Sequence, residues 1–138
     1  MQVAVQRVHE RAVLPTYAHA SDACFDLTAA SSIVQGGQQI IDTGLIFAIP
    51  EGYVGLVFPR SSISHVTGLV LANSVGVIDA GYRGTVQLRF RGTEPYYQVG
   101  QRCGQMLIIP VPHIVLQEVT TMAETDRGPG GFGSTGML

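Results

Sequence analysis

Gly76-Val77-Ile78-Asp79-Ala80-Gly81-Tyr82-Arg83-Gly84 runs from two apolar β-formers into an acid and a tight turn, and a second strand-like run, residues 85–90, follows at once. The pattern predicts a β-hairpin with a carboxylate at its mouth. Asp79, Gly81 and Tyr82 lie within four positions, so they place an acid, a backbone open to close approach and an aromatic face around one small concavity. An aspartate in a turn often does no more than cap the local backbone. The stretches on either side argue that Asp79 does more.

The chain reads as strand after strand. Val3 and Val5 alternate with polar neighbours, and residues 24–27, 38–41, 45–49, 54–58, 69–72, 75–78, 104–109 and 114–119 are further predicted strands. Turn signals separate them: Gly36-Gly37, Thr43-Gly44, Pro50-Glu51-Gly52, Gly92-Thr93-Glu94-Pro95, Pro110 and Pro112. Pro50 and Gly52 suit a type I turn with the proline second. One short helical piece is predicted over residues 61–65. Many short strands without long helices argue for an antiparallel sandwich, a jelly roll or a small barrel. No internal repeat or linker is visible.

With 138 residues the chain is large enough to bury a core as one domain. Charged residues make up 13% of it, about half the usual share. That is little charge with which to cover a monomer, so part of the surface is expected to be buried against other copies. All eight basic side chains are arginines. The absence of lysine excludes a Walker-type loop and Schiff-base chemistry, while the planar, bidentate arginines suit phosphate. A net charge of −2 with no basic stripe speaks against a nucleic-acid partner.

Cys24 and Cys103 are far apart in sequence, and no secretory signal precedes them, so a reduced cytoplasmic setting is expected. His9, His19, His65 and His113 show no metal-ligand spacing, which argues against a protein-made zinc site. No apolar run approaches the ~20 residues of a membrane span.

Composition shifts near residue 124. Arg127-Gly128-Pro129-Gly130-Gly131-Phe132-Gly133-Ser134-Thr135-Gly136 has too little apolar surface to hold itself in place. It nevertheless combines what a nucleotide asks for. Glycine N–H groups and the Ser134 and Thr135 hydroxyls would meet phosphate oxygens, Arg127 adds charge and Phe132 a stacking face. Residues 1–123 are therefore expected to form a β domain and 124–138 a flexible tail that caps a nucleotide. Phe58-Pro59-Arg60-Ser61-Ser62 likewise puts a guanidinium and hydroxyls just past a strand end, and Gly100-Gln101-Arg102-Cys103-Gly104-Gln105 opens the next strand with amide donors.

Taken with Ala23-Cys24-Phe25-Asp26-Leu27, these stretches resemble, in order and spacing, the five motifs of the trimeric dUTP pyrophosphatases. The resemblance covers essentially the whole chain. It implies a jelly-roll-like β barrel, all-β, forming a homotrimer whose three active sites lie at subunit interfaces. It implies hydrolysis of dUTP to dUMP and pyrophosphate, which limits uracil incorporation into DNA and supplies dUMP for thymidylate synthesis.

Residue by residue, the resemblance makes Asp79 the base that holds and deprotonates the water attacking the α-phosphorus. Ser61 would donate toward the leaving pyrophosphate, with Arg60, Gln105 and Arg127 spreading its charge. Mg2+ would be held chiefly by phosphates and waters, Asp26 acting through the water shell. Uracil would lie on backbone groups of Gly76 and Val77 beside the Asn73 amide. Phe132 would stack on it, with Gly133, Ser134 and Thr135 closing over the phosphates. Tyr82 would pack on the deoxyribose and exclude a 2′-hydroxyl. A thymine methyl has to be refused sterically, because burying a methyl is favourable by about 0.8 kcal/mol while overpacking a rigid site costs roughly 1–3 kcal/mol.

Departures from the family pattern lie beside the chemistry: Ser62-Ile63-Ser64, Cys24-Phe25 and Gly81. Gly81 and the doubled serine are also similar to the related dCTP deaminases. Those carry a glutamate in the strand after the turn, where this chain has Leu88-Arg89-Phe90, and an arginine cannot serve as that base. A non-catalytic nucleotide-sensing or protein-binding trimer is the other alternative, disfavoured by the acid, the tyrosine and the complete tail.

Overall fold

A computed structural model describes residues 1–63 and 68–131; Ser64, His65 and the tail residues Phe132, Gly133, Ser134 and Thr135 lie outside them. The described elements are ten β-strands: β1 (Ala4–Arg7), β2 (Phe25–Thr28), β3 (Ser31–Gln35), β4 (Gln38–Asp42), β5 (Leu45–Ala48), β6 (Tyr53–Phe58), β7 (Val70–Leu71), β8 (Gly76–Ile78), β9 (Gln87–Arg91) and β10 (Arg102–Pro110). They form a jelly-roll-like arrangement of antiparallel sheets that do not close on one another, ordered β2-β10-β6-β8 and β3-β4-β9-β7, with β1-β5 as a separate pair. The expected all-β fold is what the chain adopts.

Strand alternation builds the core. On β9, Leu88 and Phe90 point inward while Gln87, Arg89 and Arg91 face out. Leu27, Val57 and Met106 from the other large sheet are buried with them, together with Ile41 and Leu45. Each such side chain contributes about 1.5–3 kcal/mol on burial. Phe90 packs its ring 5.3 Å from that of Tyr97.

Four expectations need correction. Residues 76–90 are not a hairpin: β8 pairs with β6, whereas β9 pairs with β4 and β7 in the opposite sheet. The quoted stretch is the crossover between sheets. Its flanking strands each have apolar residues to bury, and doing so from two sheets lets them share one core. Second, residues 31–35, which carry no predicted strand, form β3. It pairs with β4 around Gly36-Gly37, whose φ values of 58° and 72° make the tight two-residue turn that only such residues adopt without strain. Third, residues 114–119 form no strand in this chain; β10 ends at Pro110, and Leu116 is 91% exposed. Fourth, the turn at Pro50 starts one residue later than expected. The Tyr53 N–H donates to the Pro50 carbonyl at 3.1 Å with Gly52 third at φ 79°, a type II geometry. At the predicted helical piece, the Ile63 N–H donates to the Arg60 carbonyl at 3.1 Å, and Ser64 and His65 lie outside the described residues.

Candidate active site

β10 is the middle strand of one end of the site. Gln105 is in register with Asp26 on β2 and with Phe58 on β6, so the chain leaving β6 as Pro59-Arg60-Ser61 comes out beside Asp26. Arg60 Nε lies 3.0 Å from Asp26 Oδ1, and Arg102 Nη1 lies 2.9 Å from Oδ2. Gln105 Nε2 donates to the Pro59 carbonyl at 3.0 Å, which pins the start of the Arg60 loop to β10. Asp26, Arg60, Ser61 and Gln105 line one opening of about 300 Å³, with Asp22 and Cys24 on its wall. Asp26 engages Arg60 through Nε, and the two terminal nitrogens of a guanidinium have the fork geometry suited to a phosphate.

Arg102 was not among the expected site residues. The ladder slips between Arg102 and Gly104, a bulge that re-aims the side chain toward Asp26. Sequence offered only a cation two residues from a glycine on either side, and no pattern in it marks the slip. Burial, then the Asp22 and Asp26 carboxylates, pushes the Cys24 thiol up, so it stays protonated on the wall. Burial likewise pushes the Cys103 thiol up to about 12, and neither cysteine is bridged.

The other end of the site is the crossover. Among the described residues β8 lies at the edge of its sheet and pairs only with β6, so no described strand covers the other edge of Gly76 and Val77. Before it, Ser74 holds φ at 61° and the Val75 N–H donates to the Asn73 carbonyl at 2.6 Å. A left-handed non-glycine costs about 1–2 kcal/mol, and such strain concentrates at ligand clamps. The turn brings the Asn73 amide nitrogen to 3.7 Å from where a side chain on Gly76 would begin. Asn73 also lines a second hollow of about 360 Å³ with Gln38, Gln87, Arg89 and Arg91.

Asp79 and Tyr82 are exposed at the turn after β8, where the Tyr82 N–H donates to the Asp79 carbonyl at 3.0 Å. Arg83 Nη1 donates to the carbonyls of Ala80 and Tyr82, both at 2.7 Å, clamping the turn from inside. Tyr82 Oη donates to the Thr85 carbonyl at 3.1 Å, and the ring covers Gly84 so closely that any Cβ there would collide with it. Asp79 and Tyr82 do not line the Arg60 opening. Nor does Arg127, which is exposed and donates from Nε to the Gly130 carbonyl at 3.1 Å. One chain therefore gathers Asp26, Arg60, Ser61 and Gln105, gathers Asn73, Gly76 and Val77 separately, and leaves Asp79 and Tyr82 on a projecting turn.

Comparison with known proteins gives a concordant picture. The dUTPase family model matches residues 10–136. A deoxyuridine 5′-triphosphate nucleotidohydrolase of Leifsonia xyli subsp. xyli is 40% identical, over 89% of this chain and 85% of that protein. The protein of the same name from Clostridium kluyveri is 36% identical over the full length of both. Among solved structures, a dUTPase of Staphylococcus bacteriophage 80alpha with bound dUpNHpp superposes with a TM-score of 0.84 at 28% identity, covering 98% of each chain. A dUTPase of phage phi11 of S. aureus, described with a structural Mg(II) ion, does so with a TM-score of 0.75 at 26% identity over 88% of this chain and 98% of that one.

Proposed function

Because this chain belongs to the dUTPase family, we propose that it hydrolyses dUTP to dUMP and pyrophosphate, in an active site completed by more than one copy of itself. The observation that carries this reading is the division of the site. Arg60, Ser61 and Gln105 share one opening, whereas the acid and the tyrosine do not line it and are exposed on the turn after β8. A second copy that brings its turn to this opening joins the two halves. The shortage of charge and the exposed Val115 (84%) and Leu116 (91%) support such an assembly. A homotrimer is the expected state at micromolar concentration, checked by light scattering on a gel-filtration column; a stable monomer would oppose it.

In this mechanism the triphosphate lies along Arg60 and Gln105, with Ser61 donating to the oxygen that leaves with pyrophosphate. Asp79 of a neighbouring copy takes the proton from the water that attacks the α-phosphorus. The tail, with Arg127 and Phe132, closes over the phosphates and base. Among the described residues no three potential ligands converge, and Asp26 is the carboxylate nearest the arginines. That donor set fits Mg2+, which takes one or two carboxylates, directly or through water, and relies on substrate phosphates for the rest. When bound, the ion neutralises phosphate charge.

The edge of β8 reads uracil through Gly76 and Val77 with the Asn73 amide, and Tyr82 lies against the sugar. A cytoplasmic setting agrees with two unbridged thiols, and no helix among the described residues is long and apolar enough to cross a membrane. There the reaction removes dUTP before polymerases use it and supplies dUMP for thymidylate synthesis.

A pyrophosphate-release assay over dUTP and the four standard deoxynucleotides tests the activity. Release from dUTP far above the others is expected, and equal release from dCTP or dTTP would count against the reading. The same incubation with dCTP is expected to yield no ammonia. Arg89 stands on the outer face of β9, and its guanidinium offers only donors.

A further inference from the structure

Asp42 at the end of β4 is tied to the far side of the molecule's projecting turn by a chain of hydrogen bonds. Its Oδ2 accepts from Thr85 Oγ1 at 2.6 Å and from Gln87 Nε2 at 3.0 Å, and its Oδ1 accepts from the Gly44 N–H at 2.7 Å. One carboxylate thus holds two side chains at the point where the crossover enters β9. The carbonyl of that same Thr85 accepts the Tyr82 hydroxyl at 3.1 Å. On its other side the ring rests on Gly84, where there is no room for a Cβ. The ring has no other described hydrogen bond, so its position depends on where Thr85 is held: Asp42 holds its hydroxyl, and the next N–H, of Val86, donates to the Leu45 carbonyl at 2.9 Å.

We propose that Asp42 is a positioning residue for sugar discrimination: through Thr85 it fixes Tyr82, and so sets how well the enzyme refuses a 2′-hydroxyl. The inference rests on the reading that Tyr82 packs on the deoxyribose. The need for a brace is physical. An exposed tyrosine on a turn swings by rotamer changes, and a wall that yields by about an ångström admits one oxygen atom. Arg83 ties the turn only to itself, through Ala80 and Tyr82. Asp42 ties it to β4, a strand held on both sides by β3 and β9. Charge-assisted hydrogen bonds of 2.6–3.0 Å are suited to that task.

The test is the ratio of kcat/KM for dUTP to that for UTP, a quantity that a loss of overall stability does not move. Asp42→Ala should lower the ratio about tenfold, the scale on which removing a charge-assisted hydrogen bond is felt. Thr85→Val keeps the shape and the backbone carbonyl but removes the hydroxyl donor, so it should lower the ratio in the same direction even if Asp42→Ala fails to fold. Thr85→Ser, which retains the donor, should restore it. Tyr82→Ala serves as the reference. If it lowers the ratio while Asp42→Ala and Thr85→Val leave it unchanged, the brace is wrong and the role of Tyr82 stands. If Tyr82→Ala itself leaves the ratio unchanged, the tyrosine does not read the sugar and the proposal falls with that reading.

Discussion

Asp79→Asn should bind dUTP with near-parental affinity and hydrolyse it roughly 10² to 10⁴ times more slowly, the usual contribution of a positioned general base. Asparagine keeps the size of the side chain and one acceptor oxygen but cannot take a proton at neutral pH. The contacts expected to hold the ground state lie elsewhere: Arg60 and Gln105 at the opening, Asn73 and the β8 edge at the base. Asp79 is exposed and its carbonyl, not its carboxylate, closes the turn with the Tyr82 N–H. The substitution therefore leaves the turn's described hydrogen bonds in place. Single-turnover hydrolysis and nucleotide affinity, measured on the same preparation, separate chemistry from binding. A rate within a few-fold of the parent would make Asp79 a turn former and remove the proposed base.

Deleting the chain from Arg127 onward should leave the assembly intact and lower kcat/KM by a factor on the order of 10² or more, as when several transition-state donors are lost at once. None of residues 127–131 belongs to the buried core, so the deletion leaves no cavity. What is lost is the guanidinium of Arg127 and the glycine, hydroxyl and aromatic groups that follow it, all of which are proposed to act only on bound nucleotide. Light scattering would report the oligomer and steady-state hydrolysis the activity. Near-parental kcat/KM in a truncated protein of unchanged size would show that the tail has no part in the reaction.

Membership of the dUTPase family was legible in the residues. Arginines without lysines, an acid between glycines and an aromatic-bearing glycine tail point to a phosphate ester whatever the fold. Strand character was also legible where it rests on local alternation. Gln87–Arg91 alternates exposed and buried because successive side chains leave a strand on opposite faces, a property carried by five consecutive residues. Gly36-Gly37 announced a turn for an equally local reason, the cost of positive φ to any residue with a Cβ.

Pairing is a different matter. Whether β8 turns back on β9 or feeds another sheet depends on which apolar faces, dozens of residues apart, share a core, and nothing between residues 76 and 90 encodes that choice. For the same reason β3 escaped notice: Ile33 and Val34 are exposed in the chain, so its strand is defined by its ladder with β4 more than by burial. Residues 114–119 have strand composition but no strand partner among the described residues. The Asp26–Arg102 pair and the Asp42–Thr85–Tyr82 series follow from a bulge and from strand register. The sequence by itself determined which residues alternate, turn and carry charge, because those properties act over a few bonds. Only the tertiary structure decided which of them meet, because each meeting is a long-range contact that exists once the two sheets have buried their common core.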